Sequence, residues 1–510
     1  MSTTISDYIK AQQPRSAKAK ASNTVSVFYR NLEEELDARR ADHSLVTLHT
    51  REDHTVDFSS NDFLSLASTG LLRMAFFDEL ARHPNFQLGS TGSRLLDGNN
   101  HYIETVEREL AEFHGAEAAI IVNSGYEGNG AIFSAIPRPG DVVVYDELIH
   151  ASVHDGLKEC LALTRLSFRH NDVDSFYETL LEVRDSQPQI RQGERSVIIS
   201  VESVYSMDGD VCPLRELVDA AKEIFPAGNA VFVIDEAHST GVQGPKGAGL
   251  VNALGLEKEI AIRMHTFGKA LASTGAVILA NDTIRTMLIN HARSIIYTTA
   301  PSFPMLAGIR AAYTLLKSGM TQPAQDRVQL LVRHFFKHML SKPIWNKAKE
   351  MGVLSIPLSE DWESKDHLTQ IIPVWTRQKY NYFLVFHLHF NGFAAYPIDF
   401  PVVPKGTSRV RLVFHAANTE AEVEGLAQCI AAWAEEMVDI EESGKGVRIP
   451  TAARQAYSVV AAEEVKNGAA ANGDKNGEKF DVVVGKGVGN GVSSGIPVSV
   501  GNGNGANGFH

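Results

Sequence analysis

Short, uninterrupted runs of β-branched and other apolar residues recur along the middle of the chain, with segments of helical periodicity between them. The runs are AAIIVNSG (118–125), DVVVYDE (141–147), RSVIISVES (195–203) and AVFVIDEAHS (230–239). A strand with one wet face alternates apolar and polar residues, whereas a strand that is apolar throughout is covered on both faces. The intervening HYIETVERELAEFHG carries acid near its start and ends at Gly115, the pattern of a capped helix. Strand and helix in alternation predict an α/β fold whose mostly parallel sheet carries helices on both faces. Ligands of such sheets gather beyond the carboxyl ends of the strands.

Two of those ends are rich in polar groups. VFVIDEAHSTG runs straight into Asp235, Glu236, His238, Ser239 and Thr240, and SVESVYSMDGD presents Glu202, Ser203, Ser206 and Asp208. A carboxylate that closes a buried strand needs a cation or hydrogen-bond donors, because leaving it unpaired costs several kcal/mol. YDELIHAS sets His150 a few residues past another strand. Downstream, HTFGKALAS (265–273) places Lys269 among small and apolar neighbours with no acid close in sequence. Desolvation lowers an amine's pKa toward the reactive free base, so Lys269 is either a solvated surface residue or a covalent anchor. Taken singly, Asp235 also reads as a helix cap and His150 as a core histidine.

Pyridoxal 5'-phosphate (PLP) gives these residues one purpose. Held covalently by a lysine, it needs an acid against its ring nitrogen and a flat group on its face; its phosphate calls for hydroxyls and helix N-terminal amides. Asp235 suits the first need and His150 the second. NSGYEGNG (123–130) suits the third, with Ser124 and Gly125 between a strand and the helix-like AIFSAI; Thr266 adds a hydroxyl three residues before the lysine.

On these residues the chain resembles the α-oxoamine synthase family of fold-type I PLP enzymes. The resemblance runs in order through FSSNDFLSL (58–66), GSTGSRLLDGNNHY, NSGYEGN, DELIHAS, FRHNDV, ESVYSMDGD, IDEAHSTGV, TFGK and YPIDFPVVPKGTSRVRL (396–412), covering roughly residues 30–440. It implies a large domain built on the mostly parallel sheet and a smaller α+β C-terminal domain. Lys269 resembles the Schiff-base lysine that also moves protons at the α-carbon, and Asp235 the partner of the pyridine nitrogen. His238 and Ser206 resemble the pair at the phenolic oxygen, and His150 the stacking histidine. Gly125 and Tyr126 resemble the adjacent phosphate-binding amides, with Thr266 helping and Thr299 reaching across from a second subunit of a homodimer. Asn61 and Arg411 resemble the pair that grips the amino-acid carboxylate, where a planar guanidinium fork suits two oxygens. The implied reaction joins an amino acid to an acyl thioester, on CoA or a carrier protein, with loss of the original carboxylate to give an α-amino ketone; His238 is placed to hydrogen-bond the incoming carbonyl.

Within the family, TFGK and the 396–412 stretch are most similar to 8-amino-7-oxononanoate synthases. Val46 departs from an arginine that bacterial oxononanoate synthases carry near the acyl chain, Ala272 departs from a usual glycine, and VFHAANT (413–419) departs from a threonine-rich version. An apolar entrance favours a fatty or polyketide chain, which keeps open a secondary-metabolite synthase fed by a carrier protein. A PLP aminotransferase would share Lys269 and Asp235 but release a keto acid. A dinucleotide-binding fold is excluded, since GSTGSRLLDG does not open a βαβ unit with GxGxxG spacing.

The remaining sequence sets boundaries. A net charge of −13 and a pI near 5.8 give no basic field for nucleic acid. Cys160, Cys212 and Cys429 lack CxxC or metal-ligand spacing, so no metal is expected. No apolar run approaches the ~18 residues of a membrane span. A cytoplasmic location is expected; a basic, Ser/Ala-containing N-terminus leaves a mitochondrial one as the alternative. The expected organisation is a disordered leader (1–25), an N-terminal segment (26–85), a PLP-binding domain (86–303), a C-terminal domain (304–450) and a Gly/Asn-rich disordered tail (451–510). Residues 26–41 read as an amphipathic helix with a Glu35–Arg39 pair.

Overall fold

All four apolar runs are strands of one sheet. The computed structural model describes residues 26–41, 45, 48, 54–378, 380–400, 402–443 and 449–458; Val46, the expected leader and the chain beyond residue 458 lie outside them. In chain order the strands are β1 (Val56–Asp57), β2 (Ala118–Val122), β3 (Val142–Asp146), β4 (Thr164–Phe168), β5 (Val197–Glu202), β6 (Ala230–Asp235), β7 (Ile260–Thr266) and β8 (Ala276–Ala280). They continue with β9 (Leu354–Ser355), β10 (Ile371–Thr376), β11 (Phe393–Ala394), β12 (Tyr396–Ile398) and β13 (Arg409–Val413).

The main sheet has the order β2-β8-β7-β6-β5-β3-β4. Neighbours from β7 through β4 pair in parallel, and β8 runs antiparallel to both β7 and β2. Every residue of β2, β5 and β8 is buried, which is why these strands carry no polar alternation. HYIETVERELAEFH forms the helix His101–His114; Asn100 caps it by accepting from the amides of Tyr102 and Ile103, and Gly115 stops it at φ 66°.

A second, antiparallel sheet of order β12-β13-β10-β9 packs with the helices Gln322–Leu340 and Glu420–Glu442 around Phe335, Phe336, Phe414 and Trp433. This is the smaller α+β part of the fold, and the helix that precedes it packs elsewhere. The helix Phe303–Lys317 buries Leu306, Ile309 and Leu316 with Phe63, Ile103 and Leu271 in the large-sheet core, so the second unit starts after it. The N-terminal segment is likewise shared: β1 pairs with β11, and Phe58 lies in the second core. At the far end, residues 451–458 are helical, and Ala452, Ala453 and Ala456 pack against Phe386. The ordered chain therefore extends past the expected start of the tail, because three small apolar residues find a surface to cover.

The predicted N-terminal helix is Val27–Ala41. Among the described residues Arg40 pairs with Asp37 and Glu33, and Glu35 makes no ion pair with Arg39.

Candidate active site

The carboxyl ends of β5, β6 and β7 supply most of the site. β7 ends at Thr266, and the chain reverses into β8 through residues 267–275. Phe267 N–H donates to Gly275 O, and Ser273 N–H donates to Phe267 O, each at 2.9 Å. Phe267, Ala270 and Leu271 are buried in the large core, so the turn is pinned from below while Lys269 points away from it. Lys269 Nζ lies 2.9 Å from His238 Nε2. Burial depresses the amine most strongly; the fields of Asp235 and Glu202 resist it, and the balance is a pKa of about 8. His238 follows β6 and is buried, and burial, reinforced by Lys269 and Arg411, holds its pKa well below the usual histidine value. It is therefore a neutral imidazole. Its carbonyl accepts from Gln370 Nε2 at 2.8 Å, while its buried Nδ1 has no partner among the described residues.

Asp235 closes β6 in register with Glu202 of β5. Its Oδ1 accepts from Ala237 N–H at 2.9 Å and its Oδ2 from Asn129 Nδ2 at 2.8 Å. The same Asn129 amide donates to Ser152 Oγ at 2.9 Å. Ser152 in turn offers its hydroxyl (2.7 Å) and its N–H (3.2 Å) to His150 Nδ1, which thereby caps the helix Ala151–Lys158. With Nδ1 accepting, the assigned tautomer carries its proton on Nε2. One buried amide thus ties the acid to the histidine expected on the other side of the ring. Asn129→Ala should weaken PLP retention by roughly tenfold, since it strips a buried carboxylate of a donor worth about 1–3 kcal/mol; equilibrium dialysis of the cofactor measures it, and unchanged retention contradicts the tie.

The helix Gly125–Ala135 starts directly beyond β2. Ser124 caps it by accepting from Glu127 N–H at 3.1 Å, which leaves the Gly125 and Tyr126 amides for an anion. Gly125 sits flush against the end of β7: a Cβ there would lie 3.3 Å from Met264 Cε and 3.4 Å from Thr266 Cβ. Ser124, Gly125 and Thr266 are thereby brought together. The exposed Tyr126 side chain turns to Asp155, so its amide is what it offers the site.

Arg411, central in β13 and buried, donates from Nη2 to Asn61 Oδ1 at 3.1 Å and from Nε to Ser206 O at 2.6 Å. Burial lowers its pKa to about 10, which leaves it cationic at neutral pH. Ser206 O is thus one of the two acceptors that orient Arg411. Thr299 stands apart: it forms a backbone bridge with Ser93, and no hydrogen bond among the described residues ties it to the lysine turn.

An amine, a carboxylate with two donors, a stacking-capable imidazole, two helix amides and an unpartnered buried His238 Nδ1 together fit PLP. Asn129, Ser152 and Gln370 were not singled out from sequence. The available signal for Asn129 was a polar residue flanked by two glycines in a helix whose second half is mostly apolar; Gln370 immediately precedes a strand and offered none.

The family model described as aminotransferase class I and II matches residues 53–430. The aminoacyl transferase sphA of Aspergillus fumigatus is 54% identical over 89% of this chain and 97% of its own length. The 8-amino-7-oxononanoate synthase of Emericella nidulans is 44% identical over 75% of this chain and 90% of its own. The chain belongs to the α-oxoamine synthases. A solved serine palmitoyltransferase from S. paucimobilis with bound PLP shares the fold, with a TM-score of 0.65 at 23% identity, covering 84% of this chain and all of that one. This α-oxoamine synthase is a PLP-dependent acyltransferase of fold type I, and no helix among its described residues is long and apolar enough to cross a membrane.

Proposed function

We propose that this α-oxoamine synthase condenses an amino acid with the thioester of a long apolar acyl chain, releasing carbon dioxide and the thiol. The observation that carries the reading is Lys269 Nζ against His238 Nε2 at the end of β6, in a site that also holds Asp235 and is flanked by Arg411 and Asn61. Bound PLP supplies an electron sink that makes the amino acid's α-carbon acidic. Arg411 and Asn61 hold the amino-acid carboxylate. Lys269, with its amine depressed to about 8, has free base available near neutral pH to take the α-proton. His238, neutral and buried, places a hydrogen-bonding group beside that amine, where the thioester carbonyl arrives. Asp235 would pair with the ring nitrogen, His150 would stack on the ring, and the first turn of Gly125–Ala135 with Ser124 and Thr266 would hold the phosphate.

For the acyl group, a cavity of about 280 Å³ opens beside the lysine turn, lined by Leu66, Leu72, Phe76 and Ala272 and also by Arg73 and Ser273. The apolar part of that lining suits a hydrocarbon chain, and Arg73 and Ser273 stand at its polar part. The test crosses a panel of amino acids with acyl-CoA and acyl-carrier thioesters and reads the products by mass. An α-amino ketone with carbon dioxide supports the proposal. A keto acid without thiol release indicates an aminotransferase, and a preference for a dicarboxylate monoester thioester returns the chain to the oxononanoate reading.

The Lys269 value gives a pH test. Attachment of PLP to cofactor-free protein requires the unprotonated amine, so its rate should rise with pH through about 8 and then level off. A flat rate across that range counts against a depressed amine.

We also propose a homodimer. Leu88 (72% exposed), Leu96 (77%) and Tyr297 (71%) lie in the segments around the Ser93–Thr299 bridge, where a second copy would cover them and receive Thr299. Light scattering should give twice the chain mass, and Leu96→Lys should lower it. The three cysteines are free and buried, in keeping with a reducing compartment such as the cytoplasm.

A further inference from the structure

FRHNDV follows β4, and the chemistry above makes no use of it. His170 Nδ1 lies 2.9 Å from Asp146 Oδ1, at the end of β3, and its Nε2 lies 2.8 Å from Asp210 Oδ2. Asn171, held in the left-handed region at φ 51°, reinforces both ends: its N–H donates to Asp146 Oδ2 at 2.9 Å and its Nδ2 to Asp210 Oδ2 at 2.6 Å. Asp146 is fully buried, and the Tyr205 ring stands edge-on to the imidazole at 4.4 Å. Burial works against a charge on His170, yet hydrogen bonds to Asp146 and Asp210 outweigh it and push its pKa up to about 10. The ring is a cation with both nitrogens donating, and it compensates two carboxylates that would otherwise repel each other.

Asp210 belongs to a hairpin closed by the Val204–Val211 bridge, with Tyr205 N–H donating to Asp210 O at 3.1 Å and Gly209 N–H to Tyr205 O at 2.8 Å. The tip of that hairpin meets the second sheet. Ser206 O accepts from Arg411 Nε, Asp208 pairs with Arg409, and Thr369 Oγ1 donates to Gly209 O. Gly209, at φ 67°, approaches β10 so closely that a Cβ would lie 2.0 Å from Ile371 O. The hairpin is therefore braced from the main sheet at Asp210 and carries the arginine strand at its tip.

We propose that His170 is a positioning residue for the amino-acid carboxylate site: by bracketing Asp146 and Asp210 it fixes the 203–212 hairpin, and through Ser206 O it sets the direction of the Arg411 guanidinium. The inference rests on Arg411 as the carboxylate ligand. Without the bracket the hairpin shifts, and a small misplacement of an orienting group is costly in a preorganised site.

The test uses the PLP-loaded full chain and reads equilibrium binding by the change in cofactor absorption. L-alanine and L-serine are titrated beside their carboxylate-free counterparts, ethylamine and ethanolamine. His170→Gln should weaken both amino acids by roughly tenfold and leave both amines within about twofold. Asp210→Ala, which keeps the His170–Asp146 pair and cuts only the hairpin tie, should do the same and decides the matter where His170→Gln does not fold. Equal weakening of acids and amines, or no change in either variant, overturns the proposal. Arg411→Ala run in parallel separates the two levels. Loss of acid binding there with none at His170 or Asp210 sinks only the bracket, whereas Arg411→Ala without acid discrimination sinks the carboxylate assignment and the bracket with it.

Discussion

Lys269→Ala should abolish turnover and the absorption band of lysine-bound PLP while leaving the fold intact. The amine is asked to do two things, anchoring the cofactor and taking the α-proton, and positioned proton transfer by itself contributes roughly 10²–10⁴ in rate. A drop of about 10⁴ or more is therefore expected, below what a coupled assay for released thiol detects. The fold should survive because the turn is pinned by Phe267, Ala270 and Leu271 instead of by the amine, and because removing a partly desolvated lysine takes away a cost. Circular dichroism and the thermal midpoint check the second half of the expectation. Turnover persisting in the variant would remove Lys269 from the chemistry altogether.

Arg411→Ala is the second large effect. The guanidinium is buried and already engaged with Asn61 Oδ1 and Ser206 O, so its orientation is set before substrate arrives. Truncating one partner of a buried, hydrogen-bonded charge pair costs about 2–5 kcal/mol, which at ~3 kcal/mol is roughly a hundredfold in the amino-acid KM. The thioester KM should stay within about twofold, because that substrate has no group at this arginine. Steady-state kinetics with each substrate varied in turn gives both numbers. Equal rises in the two would mean that Arg411 supports the site as a whole and does not select the carboxylate.

Much of this could be read without coordinates because the chemistry sits where periodicity ends. Asp235 and Glu202 are each the last residue of a strand, and a largely apolar run that stops on a charged residue is visible in any sequence. Asn61 and Arg411 are 350 positions apart and were paired through family resemblance; only folding puts Nη2 on Oδ1. Asn129 and Ser152 escaped notice for a physical reason: each is a small polar residue inside a helix, and its importance comes from a neighbour on another element. Local pattern carries no record of such a contact. The packing of Phe303–Lys317 escapes local pattern for a similar reason: the helix is apolar enough to suit either core, and tertiary contacts put it in the large one.

The hairpin-like reversal between β7 and β8 has a mechanical corollary. Both of its ends are locked into the sheet, so the chain beneath Lys269 has nowhere to go, and the nitrogen travels only by rotating the bonds of its own aliphatic arm. Loading the cofactor should accordingly leave amide hydrogen exchange within residues 267–275 almost unchanged, with the swing between tether and proton carrier confined to a single side chain on a motionless mount.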